Sequence, residues 1–470
     1  MNLPYYSRRT ALKSVASGFG YLAFAGMSAF AAQKERPDAR ANPLAPRSPH
    51  FPARARRVIF LCMDGGPSHV DTFDYKPRLT SSHGQSFGDG FRRGKLLGSP
   101  FAFKQHGRSG LWFSELFPEV AKHADDLCMM NGMQTDLPNH PQAFVQMHTG
   151  VFNFKRPSMG AWTLYGLGTE NQELPGFITL SPPTNNGGPT NYGAAFLPAI
   201  YQGTRIGMSR GFGGGPLGGA GGEATVANTK NPRRGAAAQR LQLDYLQSLN
   251  RSALDRETVA PEIDGVIESY ELAFRMQGAL PGLMDLKTES NATRAMYGIS
   301  DQETDSFGRQ CLLARRFAEA GVRFIEITKA GWDHHRDLKR GMERNCASID
   351  KPIAGLLADL QSRDMLKDTL VIWGGEFGRT PYAQGDDGRD HNSKGYTMWM
   401  AGGGVKAGQA YGSTDDYGYE AVDGKIHVHD WHATVLHLLG LDHTKLTYRY
   451  AGRDMRLTDV KGNVVKGIVG

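Results

Sequence analysis

The apolar residues of this chain gather in short unbroken runs, and most of those runs stop at a polar or charged group. Residues 58–63 (VIFLCM) end at Asp64, which is followed by Gly65, Gly66 and then Ser68, His69, Asp71 and Asp74. Short apolar runs rich in β-branched residues and bounded by turn residues read as strands buried on both faces. The pattern recurs at residues 126–135 (DLCMMNGMQT), 322–328 (VRFIEIT), 368–381 (DTLVIWGGEFGRTP) and 396–405 (YTMWMAGGGV). Helical spacing separates them. Residues 139–152 carry Ala143, Phe144 and Met147 behind Pro141, which suits a first helical turn. Residues 306–321 form an amphipathic stretch closed by Gly321, and residues 348–366 and 429–442 have the same character. In residues 236–290 apolar side chains recur four apart, at Leu241, Tyr245 and Leu249 and again at Val266, Tyr270 and Phe274. Alternating strands and helices predict an α/β fold of three layers, a mostly parallel sheet with helices on both faces.

The ends of the chain differ from this pattern. Residues 7–13 (SRRTALK) precede a moderately apolar stretch broken by Gly18, Gly20 and Gly26 and closed by the small triplet Ala29, Phe30 and Ala31. Residues 1–32 therefore read as a twin-arginine export signal built on Arg8 and Arg9, which directs the chain to the periplasm or beyond. Residues 33–55, rich in proline and charge, read as a flexible leader, and residues 56–470 as one domain. Within that domain residues 175–235 hold an insertion crowded with glycine, proline and asparagine. No later segment is long and apolar enough to span a bilayer, so no stable membrane insertion is expected.

Charge narrows the partners. The formal net charge is +7, of which Arg8, Arg9 and Lys13 supply three, leaving about +4 after the signal. That balance, with no basic helix, argues against a nucleic-acid partner. The four cysteines, Cys62, Cys128, Cys311 and Cys346, include no closely spaced pair and are expected to be buried thiols.

The candidate chemistry lies where strands end. Asp64, Asp333 with His334 and His335, Glu376, and Asp390 with His391 each adjoin a predicted strand. Loops at one edge of a parallel sheet are where such folds bind ligands, and together these groups suit a divalent cation. Carboxylates serve hard ions, calcium and magnesium among them, whereas histidine with aspartate serves zinc or manganese. Asp333 and His335, two apart, point the same way in an extended segment. His69 and His140 each follow a strand by a few residues.

The segments MDGGPSHVDTFD, SMGAWTLYGLG, CLLARRFAEAGVRFIEIT, GWDHH, DTLVIWGGEFGRTP, GRDHN and MAGGGVKAGQAYGSTDDYG together resemble exported proteins of domain-of-unknown-function family 1501. That family is similar in turn to sulfatases and the alkaline phosphatase superfamily, which implies an alkaline phosphatase/sulfatase-like fold. The resemblance implies a two-metal site, with Asp64 and Glu376 at one metal and Asp333, His335 and His391 near the other. His334 stands where the family pattern has threonine, and Phe377 where the superfamily has a histidine. His140 falls where a sulfatase carries the cysteine that becomes formylglycine, so a formylglycine enzyme is not expected. The candidate catalytic groups are His140, Thr135, Ser68 and Arg379, with Thr135, Ser68 or a metal-bound water as attacking group; Arg379 either neutralises an oxyanion or is a surface arginine paired with an acid. The activity implied is metal-dependent hydrolysis of sulfate or phosphate esters of a small molecule or polysaccharide. The alternative is a non-catalytic, metal-containing envelope or binding protein of the same fold.

Overall fold

The computed structural model describes residues 42–87, 94–208, 224–225, 235–254 and 261–470. The expected export signal and the start of the leader lie outside the described residues, as does most of the 175–235 insertion beyond residue 208. Among the described residues no helix is long and apolar enough to cross a membrane.

The strands used below are β1 (Arg57–Asp64), β2 (Leu127–Gln134), β3 (Phe177–Leu180), β4 (Thr204–Met208), β5 (Ala224–Thr225), β6 (Phe324–Ala330) and β7 (Thr369–Gly374). They continue with β8 (Gly378–Gln384), β9 (Gly388–Asn392), β10 (Tyr396–Ala401), β11 (Gln409–Tyr411) and β12 (Ile426–His427). Ten of them form one sheet in the order β11-β2-β10-β7-β1-β6-β3-β4-β5, with β12 also on β2. Strands β7, β1, β6, β3 and β4 are mutually parallel, whereas β10 is antiparallel to both β7 and β2. The antiparallel β10 makes the sheet mixed but still mostly parallel. The helices used below are α1 (His140–Thr149), α2 (Met159–Leu167), α3 (Ala236–Leu254), α4 (Pro261–Met284), α5 (Asp305–Glu319), α6 (Leu338–Ser362) and α7 (Val428–Leu438).

All eight residues of β1 are buried, as a central strand flanked by two parallel neighbours requires. Successive side chains alternate between faces. On one face Phe60 packs against the ring of His148 from α1 and Trp431 from α7. The other face takes Leu61 and its register neighbour Trp373, which meets Phe73 and Phe117. The four cysteines are buried free thiols.

Residues 368–381 are two strands rather than one: β7 ends at Gly374 and β8 begins at Gly378, which sets Glu376 between them. From Leu44 the chain lies against the domain: Leu44 and Ala55 are buried, and the amides of Arg54 and Ala55 both donate to the carbonyl of Leu438. The apolar stripe of α3 points outward, with Leu241 71% and Tyr245 66% exposed, while Leu243 and Gln247 are buried. Gln247 donates to the carbonyl of Ile267 and Arg240 pairs with Glu271, so polar bonds as well as apolar burial hold α3 to α4.

Candidate metal centre

Strand β2 runs in the same direction as β1, β6 and β7, since it and β7 are both antiparallel to β10. The carboxyl ends of all four therefore share one edge. Asp64 ends β1, Asp333 follows β6, Glu376 follows β7, and His140 opens the helix after β2. His391 reaches the same place from β9, whose hairpin with β8 hangs off the turn after β7.

Ligand atoms of His140, Asp333, His335 and His391 all lie within 4.8 Å of one another. The histidines approach one oxygen, Asp333 Oδ1, with Nε2 distances of 3.1 Å for His140, 2.8 Å for His335 and 3.2 Å for His391. Each of the three uses its other nitrogen outside the cluster. Nδ1 of His140 lies 2.5 Å from Glu376 Oε1, Nδ1 of His391 lies 2.9 Å from the carbonyl of Pro138, and Nδ1 of His335 bonds Gln384 Oε1. An oxygen partner at Nδ1 holds a proton there, so that Nε2 is the nitrogen that would give up its own proton and offer a lone pair to an ion, the arrangement that outer partners impose on metal-binding histidines. This set of imidazoles and a carboxylate fits a divalent cation.

His140 joins this group to a second one. Glu376 is fully buried, accepts from the amide of Gly65 at 3.1 Å and 3.3 Å, and shares His140 with Asp333. Burial and the charge of Glu376 raise the carboxyl of Asp64 to about 6. Burial opposes charge on His140, but Asp333 and Glu376 outweigh it and carry the imidazole up to about 9. Burial would raise Asp333 too. The hydrogen bonds from His140, His391 and Arg379 prevail and hold it well below the usual carboxylate range.

The two glycines after β1 answer a packing demand. Gly65 has φ +120°, and a Cβ there would stand 2.7 Å from the amide nitrogen of Asp333. Gly66 has φ +66°, and its Cβ would meet the ring of Phe377 at 2.7 Å. Both positions bring backbone against backbone or ring, which a side chain forbids. The ring of Phe377 lies 4.7 Å from those of His140 and His391 and fills space beside them.

Three of the candidate catalytic groups are committed elsewhere. Ser68, buried, donates to Asp71 Oδ2 at 2.5 Å, and Asp71 forms a fully buried two-pronged pair with Arg389 at 2.7 and 3.1 Å. Thr135 donates to Gln146 Oε1 at 3.1 Å. Arg379 is buried, and all three of its nitrogens are engaged: it donates to the carbonyls of Gly65, Gly66, Trp332 and Arg389 and to Asp333 Oδ1. It therefore clamps the turns after β1 and β6 together and offers no free fork to an oxyanion. His69 bonds the carbonyl of Gly418, and Asp74 takes Lys76 and Thr414. The polar run that follows Asp64 is thus mostly scaffold. His334 turns away from its neighbours into the interior, where burial lowers it to about 4.

One contributor had no strand or spacing to mark it. Asn186, from the insertion, donates to Asp64 Oδ1 at 2.6 Å, and its own carbonyl is held by Asn191. The motif NNGG marks a turn, and only the folded chain shows that the turn reaches Asp64.

Replacing Asp64 with asparagine tests its role. The folded carboxyl titrates near 6, above the ordinary 3.8, so in metal-free protein its contribution to stability falls as pH rises from about 4 through 6. In chelator at pH 7 the Asp64→Asn variant should be the more stable by up to about 3 kcal/mol. With metal present the order should reverse, and the variant should bind less. Melts with and without chelator check this; equal melting under both conditions would reduce Asp64 to a turn residue.

The chain belongs to the family described as "Protein of unknown function (DUF1501)", whose model matches residues 55–469. No curated protein matches it. Among solved structures it is similar to the PsFucS1 sulfatase from Pseudoalteromonas sp., at 13% identity over 83% of this chain and 68% of that one, TM-score 0.33. It is similar to a protein in the alkaline phosphatase superfamily from Vibrio parahaemolyticus, at 8% identity over 85% and 70%, TM-score 0.33. It is also similar to the C-terminal periplasmic domain of EcEptC from Escherichia coli in complex with Zn, at 10% identity over 85% and 88%, TM-score 0.35. Likeness at this level bears on neither the site nor the reaction.

Proposed function

We propose that this chain is a metal-dependent hydrolase of sulfate or phosphate esters, acting at the edge where Asp64, His140, Asp333, His335, Glu376 and His391 meet. One observation carries the reading: three histidines, each with Nδ1 on an outer oxygen, aim Nε2 at one carboxylate oxygen. Three imidazoles in the donor set favour an ion of the zinc or manganese class over calcium or magnesium. Such an ion would neutralise charge on the ester oxygens and lower the pKa of an attacking water.

The chain's own residues divide the remaining work. The Asp333 side chain is 44% exposed, so the cluster is open to solvent. Glu376, beneath it, holds the proton of His140 at Nδ1 and so orients Nε2 outward. Asn186 holds Asp64 against the same edge. With the Ser68 and Thr135 hydroxyls spent on Asp71 and Gln146, water is the attacking group in this reading.

The test is turnover of aryl sulfate and aryl phosphate esters by purified protein supplied with zinc, manganese, magnesium or calcium, with and without chelator. Turnover that chelator abolishes is the expected outcome. Bound metal without turnover of either ester class would replace this reading with that of a metal-containing binding protein. Turnover indifferent to chelator would remove the metal from the mechanism.

A further inference from the structure

A second group of ligand atoms lies under the same edge, inside the sheet–helix layer. Cys62 Sγ, His148 Nε2 and a carboxylate oxygen of Glu326 fall within 4.8 Å of one another. All three residues are buried, with 0%, 3% and 1% exposure. Cys62 lies on β1 two residues before Asp64 and so faces the same way. Glu326 on β6 is level with Phe60 of β1, and His148 comes down from α1, whose ring packs on Phe60. We propose that Cys62, His148 and Glu326 form a second, wholly buried site for a borderline-soft divalent cation of the zinc type.

The donor chemistry supports this. His148 has Nδ1 bonded to the carbonyl of Phe144 at 2.7 Å, which leaves Nε2 for the interior. That Nε2 is buried and has no hydrogen bond, although Glu326 Oε2 lies 3.2 Å away. Thr328, level with Cys62 on the neighbouring strand, donates to the other oxygen of Glu326 and orients it. Thiolate, imidazole and carboxylate are the three donor types that bind zinc, and three protein ligands leave a fourth position open. A thiolate and a carboxylate cancel the charge of a divalent ion, so the assembled site is neutral where net charge is costly. The competing arrangement is a buried ion pair of His148 with Glu326 beside a thiol that only packs.

Cobalt(II) separates the two, because only a thiolate ligand gives a near-ultraviolet sulfur-to-cobalt charge-transfer band. The full chain would be unfolded in chelator and refolded with cobalt(II) chloride. Wild type should show the band, and Cys62→Ser should lose it and bind one fewer ion per chain by elemental analysis. The visible cobalt bands of the outer site, which has no cysteine among its ligands, should remain in that variant. Should Cys62→Ser fail to refold by circular dichroism, His148→Gln takes its place with the same readouts. A wild type without the sulfur band, or a band that survives loss of Cys62 or His148, overturns the proposal and leaves the ion pair. The two sites fail independently: a wild type that keeps the sulfur band but holds only one cobalt per chain, with no visible band left in Cys62→Ser, would strike the outer centre instead.

Discussion

Changing His335 and His391 together to alanine should strip the outer centre of its ion and reduce ester turnover by roughly 100-fold or more, since even loss of an outer partner of a metal ligand costs 10- to 100-fold. Both imidazoles place Nε2 within 3.2 Å of Asp333 Oδ1, so their removal halves the donor group of His140, Asp333, His335 and His391. The fold should hold, because the two side chains are 33% and 18% exposed and lie on the rim rather than in the core. Elemental analysis, turnover and a melt in chelator would be read together. In chelator the variant and wild type should melt alike, which separates loss of the ion from loss of the fold. A double variant that keeps its metal and its turnover would move the centre away from these residues.

The largest effect on stability is expected at Arg389. Its guanidinium is fully buried against the fully buried carboxylate of Asp71, and Ser68 completes that carboxylate's shell. Arg389→Met would leave a buried carboxylate without its cation, which costs about 3–5 kcal/mol. The pH dependence gives the sign. Burial would raise Asp71, but Arg389 prevails and holds it below its ordinary value, so in wild type this pair's stabilisation is present near neutral pH and is lost as pH falls through the folded value. In Arg389→Met the carboxyl is buried without its cation and its pKa rises, so that variant should gain stability as pH falls. Adding Asp71→Leu should recover much of the loss by removing the stranded charge. Denaturant melts of wild type and both variants at neutral and acid pH read this directly. A single variant that melts like wild type at both would show that the pair contributes little.

These two results probe different kinds of legibility. The strands were legible because a strand buried on both faces must be mostly apolar, and β1 and β10, buried at every position, are unbroken apolar runs but for Arg57, Asp64 and Thr397. The acids after β1 and β6 were legible for the complementary reason: a carboxylate directly after such a run has few structural uses. Asp333 and His335 meeting at one point follows from their spacing alone. The division of Ser68, Asp71 and Asp74 from Asp64 was not legible, since all four are polar residues after one strand. Lys76 is close by, but Arg389 and Thr414, the other partners that make Asp71 and Asp74 scaffold, lie more than 300 residues further on. Arg379 reads from sequence either as a cation for an oxyanion or as a surface arginine paired with an acid. Its carbonyl partners on the turns after β1 and β6 turn it into a clamp.

The amino-acid sequence by itself determined the strand–helix alternation, the parallel central sheet and the edge at which the chemistry gathers, because burial and backbone pairing act through periodicities of a few residues. Tertiary structure alone decided which polar groups face one another. It took His140 from a nucleophile's place to a bridge between Glu376 and Asp333, brought Asn186 out of an insertion onto Asp64, and set Cys62 beside His148 and Glu326. The reason is range: hydrogen bonds and ion pairs act over about 3 Å between residues whose separation along the chain is arbitrary, so no local pattern records them.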